Sequence, residues 1–299
     1  MLNKDFCFIF VAPNSKFTMI AEFKVSNFYS IRSEQRLSFI ASRDSFMEEE
    51  YIHPASDSVR LLKIGLIYGS NASGKSNVLK ALAYFRRLMV YSPSDKNEQM
   101  GWMPFLLDDD SRSGHCMMSM TFYLDGKRYI LSVEFDGTRI YEEQLDVYLT
   151  NRPTSLYRRT YNRDTDASEV TFSTKTKLSQ KSQTIIEGNT INNSTVMAAF
   201  GKSNVELSLL NSVYDFFSLG FADELTPEKS LSDYTKDLLA KDRDGKLKRF
   251  LLYMLRASDF NIDNLKLGRA SDERELYFEH TANGESFELP ESYESRGTI

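Results

Sequence analysis

The chain has 299 residues, 41% hydrophobic and 26% charged, with a net charge of −5; that allows one or two well-cored domains and provides no overall basic field to draw in nucleic acid. Two distant cysteines, Cys7 and Cys116, and three scattered histidines, His53, His115 and His280, exclude a disulfide framework and a histidine-based metal centre. No apolar run approaches the roughly 20 residues of a membrane span, and Phe6–Val11 behind Lys4 is a poor signal peptide, so a cytoplasmic protein with no membrane contact is expected.

Taken in order, residues 1–18 read as an N-terminal extension, with Met19 as the start of the fold. Ile20–Phe28 alternates, with Phe23, Val25 and Phe28 on one face, and predicts a strand; Arg36–Ile40 predicts a second. Glu48–Ser58 reads as a polar loop, and Leu61–Tyr68 as an apolar strand. Val78, Ala81, Leu82, Phe85 and Met89 then recur at helical spacing up to about Val90. After a loop over Tyr91–Gly101 the pattern turns to β. Met118–Leu124, Tyr129–Phe135 and Arg139–Tyr148 are separated by Asp125-Gly126 and Asp136-Gly137, and Asp-Gly between alternating runs is a strong hairpin signal. Ser155–Tyr161 and Glu169–Ser173 extend this into an antiparallel meander. Lys175–Ser194 is polar and ambiguous. Val205–Leu219, Leu231–Leu239 and Lys246–Ala257 predict helices, the last with Asp244 as N-cap and Leu247, Phe250, Leu251, Met254 and Leu255 as its apolar stripe. Strands return at Ile262–Leu267, Glu275–His280 and Ser286–Leu289. The expected organisation is an extension (1–18), an N-terminal lobe (19–175), a helical insert (176–260) and the start of a C-terminal lobe (261–299).

Between the apolar run and the helix lies Gly69-Ser70-Asn71-Ala72-Ser73-Gly74-Lys75-Ser76, which fits G-x-x-x-x-G-K-[ST]. Glycines let successive backbone N–H groups curl around an anion, and the following helix presents its unpaired N–H groups to the same charge. This predicts an ATP phosphate site at Gly69 to Asn77. Lys75 would reach the β/γ phosphates, and the Ser76 hydroxyl would be a ligand of Mg²⁺.

Three stretches together resemble the SMC/OLD-like branch of ABC-type ATPases within the AAA family, which includes bacterial abortive-infection ATPases. They are the strand running into Asn27-Phe28-Tyr29-Ser30, the continuation of Gly74-Lys75-Ser76 by Asn77 with Ala81-Leu82 beyond it, and the closing Glu294-Ser295-Arg296-Gly297-Thr298, similar to the signature motif of that branch. The resemblance implies an α/β, P-loop ATPase head carrying the β meander and helical insert. Asn27 to Ser30 would lie near the nucleotide, with Ser30 the contact and Arg32 a further guess. Tyr29 stands where some relatives carry a basic residue. Ser295, Gly297 and Thr298 would contact, in trans, the γ-phosphate bound by a second protomer, making ATP the glue of a homodimer. It also implies a partner effector, a nuclease in anti-phage defence. DNA repair or recombination, and a non-catalytic nucleotide-binding module, are the alternatives.

In that family the signature precedes a strand ending Asp-Glu and then a switch His, which hold Mg²⁺ and orient water. Neither follows here, so a truncated head lacking the C-terminal part of its core sheet is expected, poor at hydrolysis alone and dependent on itself or a missing C-terminal chain; no catalytic residue is assigned. Phe105–Asp109 and Leu219–Glu224 are hydrophobic-then-acidic, but the first lacks the Glu and comes too early, and Gly220 breaks the second. Gln99 and Gln144 are unpersuasive as the Mg²⁺-binding Gln. Arg158-Arg159 with Arg163, Lys175, Lys177 and Lys181, and Arg86-Arg87 are either solvated or meet nucleic-acid phosphates, and Arg86-Arg87 is equally suited to a partner head.

Overall fold

The structure is a computed structural model that describes residues 18–45, 47–68, 74–219, 230–257, 262–270, 273–282 and 284–291. The chain divides into two compact units, Met1–Glu224 and Leu225–Ile299.

The first unit is built on an entirely antiparallel seven-stranded sheet in the order β2-β1-β5-β6-β7-β8-β9. Its strands are β1 (Thr18–Ser26), β2 (Gln35–Ser38), β5 (Cys116–Leu124), β6 (Lys127–Phe135), β7 (Ile140–Tyr148), β8 (Pro153–Asn162) and β9 (Ala167–Phe172). A two-stranded hairpin, β3 (Ile52–Ser56) and β4 (Val59–Leu62), follows the short helix α1 (Glu48–Tyr51), where a polar loop was expected. The β5–β6 turn forms as its sequence demands: Asp125 and Gly126 both take positive φ, 48° and 72°, the geometry of a primed hairpin turn. Asp136-Gly137 belongs instead to a longer loop, closed by Asp136 N–H donating to Arg139 O at 3.0 Å.

Alternation buries one face of each strand. On β6 the inward residues are Tyr129, Leu131, Val133 and Phe135. Helices α2 (Lys75–Val90), α4 (Gln180–Asn189), α5 (Val196–Lys202) and α6 (Ser208–Leu219) share one apolar core with that face. Phe122 stacks on Phe216 with centroids 4.8 Å apart, and Phe23 meets Phe85 edge-on at 5.6 Å. The expected helical insert 176–260 is therefore divided: α4, α5 and α6 bury Ile186, Met197, Phe200 and Phe217 under the sheet, while its last two helices lie in the second unit. Helix α5, not foreseen, is too short and too uniformly apolar to show a helical period.

That core also holds two buried groups of opposite charge, each satisfied by partners of its own. Glu143 and Arg159 are register partners on β7 and β8, 1% and 0% exposed. The Glu143 carboxylate accepts from Tyr157 O–H (2.6 Å) and from the first N–H groups of α5 at Val196 (2.7 Å) and Met197 (3.4 Å). Arg159 donates to Ser194 O (2.6 Å), Ser168 Oγ (2.6 Å), Asn192 O (3.0 Å) and Ile191 O (3.2 Å). Burial pushes the Glu143 carboxyl up against the pull of Arg159, and pushes Arg159 down to about 10, still a cation at neutral pH.

The second unit packs helices α7 (Ser230–Lys241) and α8 (Lys246–Ala257) with an antiparallel meander of β10 (Asn264–Ala270), β11 (Glu273–Ala282) and β12 (Glu285–Pro290). Its core joins Ile262, Leu265, Leu276 and Phe278 to Leu251, Leu252 and Leu255 of α8. Phe250 and Met254, expected in that stripe, are exposed.

Candidate nucleotide site

Helix α2 starts where the glycine-rich string ends. Gly74 is its N-cap residue with φ 90° and so offers no side chain to the first turn, in which no acidic residue sits. A helix start of this kind leaves N–H groups and the positive dipole end for an anion. The helix is anchored through Leu79, Leu82, Phe85 and Met89, all buried. The strand expected over Leu61–Tyr68 is only partly present. β4 ends at Leu62, and among the described residues 63–68 joins no named strand, leaving Ile64, Leu66 and Tyr68 exposed. Within this run Lys63 N–H donates to Tyr51 O at 2.8 Å and Leu66 makes an isolated bridge, short of a continuous ladder.

The Asn27–Ser30 string forms a tight hairpin at the end of β1. Phe28 and Ile31 exchange backbone hydrogen bonds of 2.8 and 2.9 Å, and Asn27 N–H donates to Arg32 O at 3.1 Å. Asn27 and Tyr29 take positive φ, 51° and 50°. The hairpin tip touches the start of α2: Asn77 Nδ2 donates to Ser30 Oγ at 2.7 Å, and a Cβ on Gly74 would stand 2.9 Å from that same oxygen. Only glycine fits position 74, on both backbone and steric grounds.

A cavity of about 760 Å³ opens at this contact, a size suited to a small organic ligand. Ser30, Arg32, Gly74 and Lys75 line it together with Tyr68 and Phe105. Residues 45 positions apart in the chain are thus brought to the same cavity. Tyr29 is not on the wall; its ring packs on Phe28 at 4.9 Å with Lys80 Nζ 5.1 Å over it. Gly69, Ser70, Asn71, Ala72 and Ser73, and Ser295, Gly297 and Thr298, lie outside the described residues.

Asn27, expected near the nucleotide, and Asp108, which the sequence did not single out for this role, do not line the cavity but fasten residues that do. Asn27, 6% exposed, fastens the segment after α2: its Nδ2 donates to Ser111 O (2.7 Å) and His115 O (3.3 Å), and its Oδ1 accepts from Phe105 N–H (2.9 Å). Its backbone carbonyl also accepts from Trp102 Nε1 at 2.9 Å. The Asn of the Asn-Phe-x-Ser string was the available signal. Asp108 caps α3 (Asp109–Ser113) through Oδ2, which accepts from Ser111 N–H (3.0 Å) and Oγ (2.7 Å); its Oδ1 accepts from Arg32 at 2.7 Å. The Ser111 hydroxyl, then its N–H and Arg32, outweigh partial burial and hold the Asp108 carboxyl below its ordinary value. Phe105–Asp109 is accordingly a loop running into a capped helix, with no strand to end in a catalytic acid; in the other acidic string, Leu219 ends α6 and 220–224 lie outside the described residues.

Among the described residues no cluster of three or more His, Cys, Asp or Glu could hold a metal ion. Ser76 is exposed beside Lys75 on the first turn of α2, outside the residues that line the cavity, and could supply the single protein ligand that Mg²⁺ needs beside waters and phosphate oxygens.

The basic pairs are otherwise engaged. Arg86 donates to Phe217 O at 3.0 Å and Ser218 O at 3.4 Å, closing the C-terminal end of α6, and Arg87 donates to Met100 O. Arg159 is fully buried and out of reach of nucleic acid, while Arg158 pairs with Glu142 at 3.6 Å on the surface. No described helix is long and apolar enough to cross a membrane.

Compared with known proteins, residues 66–299 match the family described as "AAA domain, putative AbiEii toxin, Type IV TA system". No curated protein matches.

Proposed function

The chain belongs to this AAA-domain family, and on that premise we propose that it binds ATP with Mg²⁺ in the cavity at the start of α2. The observation that carries the reading is the convergence of Ser30, Arg32, Gly74 and Lys75 on one cavity, at a helix start whose N-cap is glycine and whose first turn carries no acid. Helix N–H groups and Lys75 would hold the phosphates, Arg32 would add a second cation, and Tyr68 and Phe105 would exclude water from the nucleoside. Ser76 would hold Mg²⁺, which supplies charge neutralisation at the β/γ phosphates. The Ser30–Asn77 contact would fix the hairpin against the loop.

The finer reading is an SMC/OLD-like, ABC-type head. In it Ser295, Gly297 and Thr298 of one copy reach the nucleotide of another, so that ATP controls pairing and thereby a partner effector, a nuclease, in abortive-infection defence. The family's toxin–antitoxin description and the Asn27–Ser30 hairpin at the cavity support it.

Equilibrium binding of a fluorescent ATP analogue with Mg²⁺ tests the site. Lys75→Ala is expected to weaken binding about ten- to a hundredfold, the worth of one charged hydrogen bond. Undiminished affinity in that variant would refute the assignment.

A further inference from the structure

The Arg32 guanidinium has one partner among the described residues, Asp108, at 2.7 Å. The two ends of this pair are unlike. The Arg32 side chain is 62% exposed, and Asp108 only 20%. The cap of α3 uses Asp108 Oδ2 alone, for both Ser111 N–H and Ser111 Oγ, leaving Oδ1 to Arg32. The carboxylate is thus pinned from behind by a helix start, and that segment is itself fastened to the hairpin by Asn27. A long arginine on the cavity wall would otherwise lose rotamer freedom on meeting a ligand. Held at one nitrogen by a fixed acceptor, it keeps further N–H donors for a phosphate and meets that cost before the ligand arrives.

We propose that Asp108 is a positioning residue for the nucleotide site, holding the Arg32 guanidinium on the cavity wall as a ready-made phosphate ligand. The proposal rests on the nucleotide reading above. Asp108 touches no ligand itself; it acts through Arg32. Its charge would also repel a triphosphate, so the sign of its effect is the discriminating quantity.

Asp108→Asn separates the two roles of the side chain. Asn caps helices about as well as Asp, so α3 is retained. Once its single oxygen faces Ser111, its NH₂ faces Arg32 and can only repel it. ATP–Mg²⁺ affinity is measured on the full chain for wild type, Asp108→Asn, Arg32→Ala and the double variant, with melting temperatures alongside. The expectation is a roughly tenfold loss of affinity in Asp108→Asn and in Arg32→Ala, no further loss in the double variant, and melting within a few degrees of wild type. Tighter ATP binding in Asp108→Asn overturns the proposal and makes Asp108 a competing anion. The same tenfold loss on the Arg32→Ala background overturns it too, since Asp108 would then act through α3, and so does unchanged affinity. Wild type that binds ATP no better than Lys75→Ala removes the nucleotide reading itself, and this proposal with it.

Discussion

Gly74→Ala tests the junction between hairpin and helix with two separable costs. The first is backbone: at φ 90° an L-residue loses about 1–2 kcal/mol relative to glycine. The second is contact: the new Cβ would sit 2.9 Å from Ser30 Oγ, which must move and give up its 2.7 Å hydrogen bond from Asn77, worth about 1 kcal/mol. Together these make about 2–3 kcal/mol. Urea unfolding followed by the fluorescence of Trp102, the chain's one tryptophan, reports on this region, because its indole donates to Asn27 O. With a slope of about 2–3 kcal/mol per molar urea, the midpoint falls by about 1 M. On a Ser30→Ala background no hydroxyl opposes the methyl, and the same substitution costs only the backbone part. An equal cost with and without the Ser30 hydroxyl would refute the contact argument; a cost below about 0.5 kcal/mol would refute the backbone argument as well.

Glu143→Ala removes the buried charge that offsets Arg159 and strips the acceptor from Tyr157 O–H and from the start of α5; about 3–5 kcal/mol is lost in the same titration. A cost near zero for the single variant would show that water or another group already neutralises Arg159. Asp136 supplies the pH test. Burial raises its pKa, but hydrogen bonds from Tyr141, Thr138 and Arg139 prevail and hold it below the ordinary 3.8. A lowered folded-state pKa means that the stabilisation is present above the unfolded value and fades as pH drops through the folded one. The melting-temperature gap between wild type and Asp136→Asn is therefore expected at pH 7 and should close below about pH 4; a gap of constant size across that range rules the linkage out.

What the sequence made legible is what local chemistry decides. The meander was readable because Asp125-Gly126 specifies its own turn and the flanking runs alternate without interruption. α2 was readable because its apolar period and the glycine before it agree. Hidden features depend on partners distant in the chain. Leu61–Tyr68 reads as a strand by composition, but only its first two residues lie in β4. Phe250 and Met254 satisfy helical spacing as well as Leu252 does, and only the second unit's core selects among them. The doublets Glu142-Glu143 and Arg158-Arg159 look like surface charge. On neighbouring strands alternation turns one member of each inward, and the opposite signs in register carried a usable hint. Ser30 and Arg32 could be named from local motif alone, whereas Asp108 was set aside as a failed acidic string because its contact with Arg32 spans 76 residues.

β2 forms one margin of the seven-stranded sheet, and Gln35, Arg36 and Leu37 of that four-residue strand also line the cavity. A sheet margin carries unsatisfied backbone groups that can recruit a strand from another molecule. Whatever fills the cavity therefore lies against residues of that margin, so occupancy and the state of the sheet edge are neighbours in space.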